Sequence, residues 1–413
     1  MSKSTQPKCA EHGTWTPVPR KVPEKTSLSL SSIDPHEDER ISSNGAMSFH
    51  MTGCTGNEPA NHTTAVANAM RQQDASFLYH LGDITYVDSD DDNQFDMYNR
   101  QFLAPYTNYP EQIVALAGNH DGKDSPEAKK SAVQTFLGNF CAEPADWPAR
   151  WRGNTTDKRP AMIQPYVYWR FDTPLAYFIG LYANISNGGM LDDPAKHPDF
   201  TKGPQFQWLV SQLIKVKTRN GALPAASKRA VLVTVHYPPY SGATNFNIRG
   251  DQRNGETPKQ AKAPYLAIAL QQAFAASGQR ADAIFSAHAH LFQRLTYTYA
   301  DDTLMPCVIV GNGGHSLEQL FEECDGSAGQ AKPVPFPAVA PGSFSFPAGE
   351  SAIVEAYSDA NAEAALGTTA SGQYGFIRVS LEQRVLTCTY WNASGAAGDS
   401  FSLNLDTHRY VEP

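Results

Sequence analysis

The chain has 413 residues, 41% of them hydrophobic and 18% charged, and a formal net charge of -9. That length suits one large α/β domain or two smaller ones, with a core that needs no disulfides. The acidic balance excludes a broad nucleic-acid footprint, and an anionic substrate would need a local positive centre such as a metal ion.

Residues 1 to about 45 read as a polar, partly extended arm. The opening MSKSTQPKCAEHGTWTPVPRK has no apolar stretch of the length a signal peptide needs. The expected location is therefore the cytoplasm, or else the chain is an exported protein with its signal removed. No run of about 18 apolar residues occurs, so no membrane span is expected. Regular structure is predicted from Met47–Thr52, an alternating apolar run ending at Gly53. A helix follows over about Asn61–Asp74, then an apolar run Phe77–Leu81 ending at Gly82-Asp83. A second helix over about Asn93–Leu103 precedes the run Ile113–Ala117, which ends at Gly118-Asn119. Short strands alternating with helices predict βαβ units and a largely parallel sheet.

The second half continues in the same way. Tyr166–Phe171 and Ala176–Leu181 read as strands, and Gln205–Val216 as an amphipathic helix with Phe206, Leu209, Val210 and Leu213 on one face. Val231–Val235 is a buried strand ending at His236. Pro264–Ser277 is a helix with Pro in its first turn and Gly278 after its end. Strands follow at Ala283–Ser286 and Val308–Val310. The Pro-, Gly- and Ala-rich stretch over about 325–373 reads as a long loop or lid, and Phe376–Leu381 with Val385–Trp391 as a closing hairpin. One catalytic domain over 46–413 is the expected organisation. The six cysteines (Cys9, Cys54, Cys141, Cys307, Cys324, Cys388) show no paired spacing, and Cys307 and Cys388 sit in apolar runs as buried thiols.

Several apolar runs end in a small residue followed by one that can bind metal: Gly82-Asp83 with Tyr86, Gly118-Asn119-His120-Asp121, Val235-His236, and Ala287-His288-Ala289-His290. In open α/β folds ligands bind beyond the carboxyl ends of strands. A carboxylate at Asp83 can bridge two cations, imidazoles at His236, His288 and His290 suit zinc, iron or manganese, and the Asn119 amide oxygen is a neutral hard ligand. A phenolate at Tyr86 favours a trivalent ion, because its high ordinary pKa must be pulled down. A His-x-His pair at a strand end can serve two metals, one imidazole to each. Each motif alone is usually a turn or a satisfied histidine; together, in this order, they describe a metal site. His50 and His80, inside strands, read as packed or hydrogen-bonded side chains.

The order Gly-Asp-x-x-Tyr (82–86), Gly-Asn-His-Asp (118–121), Val-x-x-His (233–236) and His-x-His (288–290) resembles the calcineurin-like metallophosphoesterases, and among them the purple acid phosphatases. The phrases HLGDITY, HYPPYSG and HAHLFQR add to the likeness, which runs from about Met47 to about Gly314. The resemblance implies an α/β (α+β) fold of four layers, a central β-sandwich of two mixed sheets flanked by helices. It implies a dinuclear site, iron with zinc or manganese or else two zincs. Asp83 would bridge, Tyr86 and His290 would hold the first metal, and Asn119, His236 and His288 the second. A metal-bound hydroxide would then attack a phosphate monoester, with His120 hydrogen-bonding the phosphate or protonating the leaving oxygen. His315, after Gly-Asn-Gly-Gly, is a candidate substrate contact. The partner implied is a small phosphorylated substrate, with neither nucleic acid nor membrane; nothing in the sequence sets the oligomeric state.

The sequence departs from the family pattern twice. The family's Gly-Asp-x-Gly after the first strand is here Gly53-Cys54-Thr55-Gly56, so a thiol replaces a first-metal carboxylate. As a thiolate, Cys54 favours zinc or ferrous iron over a hard ferric ion. Ala287 stands where the family has Gly, adding a methyl beside the metals. About 45 residues precede the first motif, too few for the extra β-sandwich of plant-type members, so the likeness is to the single-domain branch. Two other functions fit these residues: a phosphodiesterase on the same metals, or a phosphate-binding homologue weakened by Cys54.

Overall fold

The computed structural model describes residues 20–86, 97–122, 132–142, 161–183, 200–241, 263–317, 348–357 and 374–411. In chain order the strands are β1 (Ser27–Ser29), β2 (Ala46–Thr52), β3 (Phe77–His80), β4 (Gln112–Ala115), β5 (Trp169–Asp172), β6 (Ala176–Leu181), β7 (Ala230–Val235) and β8 (Ala283–Ser286). They continue with β9 (Phe292–Thr298), β10 (Leu304–Val310), β11 (Ser351–Tyr357), β12 (Gly375–Glu382), β13 (Val385–Asn392), β14 (Ala397–Asn404) and β15 (Arg409–Tyr410). The helices are α1 (Pro35–Asn44), α2 (Asn61–Met70), α3 (Asn119–Gly122), α4 (Ala132–Phe140), α5 (Pro204–Gly221) and α6 (Ala263–Ser277).

One sheet has the order β1-β5-β6-β7-β8-β10-β9-β11, the other β15-β14-β13-β12-β2-β3-β4. Both are mixed. The parallel runs β2-β3-β4 and β6-β7-β8-β10 are those the alternation of strands and helices predicts. Antiparallel strands extend each sheet, with β12 pairing β2 and β9 pairing both β10 and β11.

The period-two pleat explains the layers. Phe178, Leu232 and Phe285 belong to one core and Ile179, Val233 and Ile284 to another, because neighbouring residues of β6, β7 and β8 face opposite sides. The first core lies between the sheets, where Phe49 and Phe77 of the second sheet meet Phe178 edge-on at 5.0 and 5.7 Å. The second core is covered by Phe206, Leu209, Leu213 and Val216 of α5 and by Leu266, Leu270 and Phe274 of α6. The chain is thus a β-sandwich of two mixed sheets with helices packed outside it.

Two stretches differ from the sequence expectation. Within the expected arm, Ser27–Ser29 pairs in parallel with β5, and Pro35–Asn44 is a helix. Asp34 caps that helix by accepting from Glu37 N at 3.0 Å, and Leu28, Leu30, Ile33 and Ile41 bury against the main core. Four isolated apolar residues in a polar stretch anchor it without making a visible pattern. Within the expected loop over 325–373, Ser351–Tyr357 is a strand paired with β9; most of the rest lies outside the described residues. The predicted hairpin is β12 and β13, turning at Gln383 and Arg384, both with positive φ. The helix expected over 93–103 is described from 97 on and includes a π-turn at Asn99–Leu103.

Candidate metal centre

The parallel strands β2, β3, β4, β7 and β8 all lead into the motifs, and the loops after them are tied together. Cys54 N donates to Gly82 O (2.9 Å), Thr55 N to Asp83 O (3.1 Å), Gly53 N to Val310 O (2.9 Å) and Ala287 N to His236 O (3.0 Å). Three non-glycine residues there, Cys54, Asp83 and His288, hold φ of 55°, 53° and 65°. Left-handed backbone is strained for such side chains, and it persists where the surroundings fix it for a task. Gly82 has a φ of +96°, and a Cβ on it would lie 2.7 Å from both Gly118 N and His236 Nδ1. Gly82→Ala is expected to lower stability by about 2–4 kcal/mol through strain and overpacking, and to push His236 off its position. Urea unfolding and metal content of the variant check this; wild-type values for both would contradict it.

Every candidate site residue converges here. The Asp83 carboxylate is buried. Its Oδ2 accepts from the Tyr86 hydroxyl at 3.0 Å and lies 3.3 Å from His236 Nε2, while its Oδ1 accepts from His120 N at 2.8 Å. His236 Nε2 also lies 3.1 Å from Asn119 Oδ1 and 3.1 Å from His288 Nδ1. The Tyr86 hydroxyl is 3.1 Å from His290 Nε2. Cys54 Sγ accepts from His288 N at 3.1 Å. The rings of His120 and His315 lie 4.1 and 3.4 Å from that of Tyr86, centre to centre.

His236 Nδ1 faces the Leu81 carbonyl at 2.8 Å, and a carbonyl only accepts, so Nδ1 carries the hydrogen. Nε2 then points at an amide oxygen, a carboxylate oxygen and a second imidazole nitrogen. One proton on Nε2 can bridge only one of these partners, whereas a cation can engage all four atoms at once. Donor atoms of Cys54, Asp83 and His236 also lie within 4.8 Å of one another. The donor set therefore fits a metal ion.

The electrostatics agree. Burial works to raise the Asp83 carboxyl, but the charge and hydrogen bond of His236, with His120 and His288, outweigh it and hold it below the usual carboxylate range. Burial works to lower His236, and Asp83 outweighs that and raises it. Burial, then the charge of His236, holds His288 well down; burial, then His315, holds His290 down to about 3. Both imidazoles are thus neutral, as ligation requires. Burial and then Asp83 and Cys54 raise the Tyr86 phenol well above its ordinary range, so it loses its proton only to a strong cation.

Sequence reasoning missed the residues that hold these groups. Asp121 accepts from Ile84 N, Gly118 N and the Tyr98 hydroxyl at 2.9–3.2 Å, tying the Asp83 loop to the Asn119 loop. Burial and the nearby Asp83 raise its carboxyl to about 7. Gln101 clamps the backbone of Tyr86, accepting from its N at 2.8 Å and donating to its O at 3.0 Å. Ser316 Oγ lies 2.6 Å from His290 Nδ1 and orients that ring. Asp121 stood inside a motif; Gln101 and Ser316 carried no signal. His50 and His80 have the structural parts expected of them, bonded to the Tyr109 hydroxyl at 3.0 Å and to Thr55 Oγ1 at 2.9 Å. The Ala287 methyl is accommodated by Gly53, where a Cβ would come within 2.5 Å of it. Cys307, Cys388 and Cys54 are buried thiols, none of them in a disulfide.

Residues 34–292 match the calcineurin-like phosphoesterase family, more than half of the chain, and the chain belongs to that family. Among solved structures it is similar to a purple acid phosphatase from yellow lupin (Lupinus luteus) seeds, with a TM-score of 0.50 and 14% identity over 88% of this chain. It is similar to PhoD at a TM-score of 0.50 and 13% identity, over 89% of this chain and 72% of PhoD. The chain spans about half, 54%, of the length of the lupin protein. At such identities the likeness is one of fold. No curated protein matches the chain in sequence. No helix among the described residues is long and apolar enough to cross a membrane.

Proposed function

We propose that the chain hydrolyses phosphate monoesters of small molecules at a dinuclear metal site, within one catalytic domain that takes in β1 and α1 as well as the residues from 46 on. The convergence of Asp83 Oδ2, Asn119 Oδ1 and His288 Nδ1 on His236 Nε2, each within 3.3 Å, carries this reading. Asp83 would be shared by two metals, Tyr86, His290 and Cys54 would hold the first, and Asn119, His236 and His288 the second. Iron with zinc or manganese, or two zincs, suits this mixture of phenol, thiol, imidazole and carboxylate. Two cations there supply Lewis acidity to the phosphoryl oxygens and lower the pKa of bound water.

The chain's own groups do the rest. Asp83 is held ionised and its two oxygens are aimed by Tyr86 and His120. Leu81 fixes the His236 tautomer and Ser316 the His290 ring. The His120 side chain, carried on α3 beside Asp83, would donate to a phosphoryl oxygen or protonate the leaving oxygen. The test is elemental analysis of protein purified without added metal, together with turnover of an aryl phosphate and of the matching diester. Two metal equivalents, monoester turnover and its loss on chelation are expected. One equivalent or fewer, turnover that survives chelation, or faster diester turnover would count against this reading.

A further inference from the structure

His315 lies outside the four motifs in sequence, yet it is one of the most tightly tied residues at the site. Its backbone N donates to Cys54 O at 3.0 Å, and its carbonyl accepts from Asn57 Nδ2 at 3.0 Å. Its Nδ1 faces Gly56 O at 2.6 Å, and because a carbonyl cannot donate, Nδ1 must carry the hydrogen. One ring nitrogen is therefore committed and the ring plane is set by the loop after β2. That plane lies flat on the Tyr86 phenol, with ring centres 3.4 Å apart and 4° between the planes. The phenol must send its oxygen between Asp83 Oδ2 and His290 Nε2, at 3.0 and 3.1 Å. Gln101 holds the backbone of Tyr86 but does not fix its side-chain torsions. A flat ring pressed against the phenol blocks the swing that would carry the oxygen out of line.

We propose that His315 is a positioning residue for Tyr86 rather than a contact to substrate. It locks the phenol in the one orientation from which its oxygen reaches the first metal. The inference rests on the proposed metal site and adds a residue that the family's motifs do not contain.

The test reads the phenol directly. A phenolate bound to ferric iron gives a visible charge-transfer band, so protein loaded with ferric iron and zinc reports the Tyr86 oxygen independently of turnover. The wild-type band is expected, and Tyr86→Phe removes its phenolate component, leaving any component from a Cys54 thiolate. His315→Ala is expected to shift the band and weaken it several-fold per bound iron. His315→Phe, which keeps a flat ring without the Nδ1 bond, is expected to restore most of it. A band unchanged in His315→Ala, with KM raised instead, would overturn the inference in favour of substrate contact. A wild-type protein that takes up metal but shows no band dependent on Tyr86 would overturn the assignment of Tyr86 itself, and this inference with it. If His315→Ala fails to fold, the Phe variant decides: a band lost there overturns the stacking role.

Discussion

Asp83→Asn is expected to retain at most one metal per chain and to lose at least ~10³ in kcat/KM, about 4 kcal/mol of barrier. The two side chains have the same shape, so the loss is chemical. A carboxylate offers lone pairs on both oxygens. Here Oδ1 accepts from His120 N, Oδ2 accepts from Tyr86, and Oδ2 also faces His236. An amide keeps one oxygen and turns an NH₂ toward groups that donate to the carboxylate. If the amide oxygen stays with His120 N, the NH₂ meets the Tyr86 hydroxyl; if it flips, it meets a backbone N–H. The flipped amide leaves a buried backbone donor unpaired, at roughly 1–3 kcal/mol of stability, whereas the unflipped one donates to the Tyr86 oxygen and turns the phenol hydrogen to His290 Nε2. The lost charge also removes the group that holds His236 up, so the second metal position weakens together with the first. Metal content, kcat/KM and circular dichroism of the variant, measured together, separate loss of site from loss of fold. Activity within tenfold of wild type at full metal content would remove Asp83 from its bridging role.

Legibility followed a physical rule. Strands buried on both faces, such as Ala230–Val235 and Ala283–Ser286, are apolar but for one hydroxyl residue each and stand out in the sequence. The chemistry sits directly after such strands, so Asp83, Asn119, His236 and His288 were placed by the strands before them. Strands that carry polar side chains among their apolar ones are harder to see. Phe292–Thr298 carries Gln and Arg between its apolar residues, and Ala397–Asn404 is half polar. Ser351–Tyr357 was hidden by the Pro- and Gly-rich composition around it. At the site, ligand types were legible because each must be a particular chemical group. Their supports were not, since a glutamine or a serine can be replaced by anything that reaches the same atom. That His315 lies flat on Tyr86 depends on two loops meeting, and no spacing in the sequence reports it.

The metal-free chain is expected to lose stability steeply between about pH 6 and pH 4. His50 and His80 are pushed down to about 3 by burial first, then by the charge of Arg378 on His50 and of His236 on His80. His290 is also held down to about 3, and His288 lies well below its ordinary range. In the unfolded chain all four would titrate near ~6.5. Below that value the unfolded state binds protons that the folded state refuses. Each such histidine then removes about 1.4 kcal/mol per pH unit as pH falls, until the folded pKa is reached. Asp121 works the other way, because its folded carboxyl, raised to about 7, takes up a proton before the unfolded one does. Among these five groups three uncompensated protons remain, an upper slope of about 4 kcal/mol per pH unit against a total stability of roughly 5–15 kcal/mol. Bound metal would shelter His288 and His290 from protons, leaving the structural pair His50 and His80 exposed to acid in either state. The acid limb of any pH–rate profile should therefore report unfolding as well as chemistry, and activity at strongly acidic pH would need the metals to hold the fold. Urea midpoints measured with chelator from pH 7 down to pH 4 give the slope, and His50→Gln should reduce it by about one proton's worth. A midpoint that stays level over that range would mean that these histidines are already protonated in the folded chain, and that the burial said to exclude their charge does not.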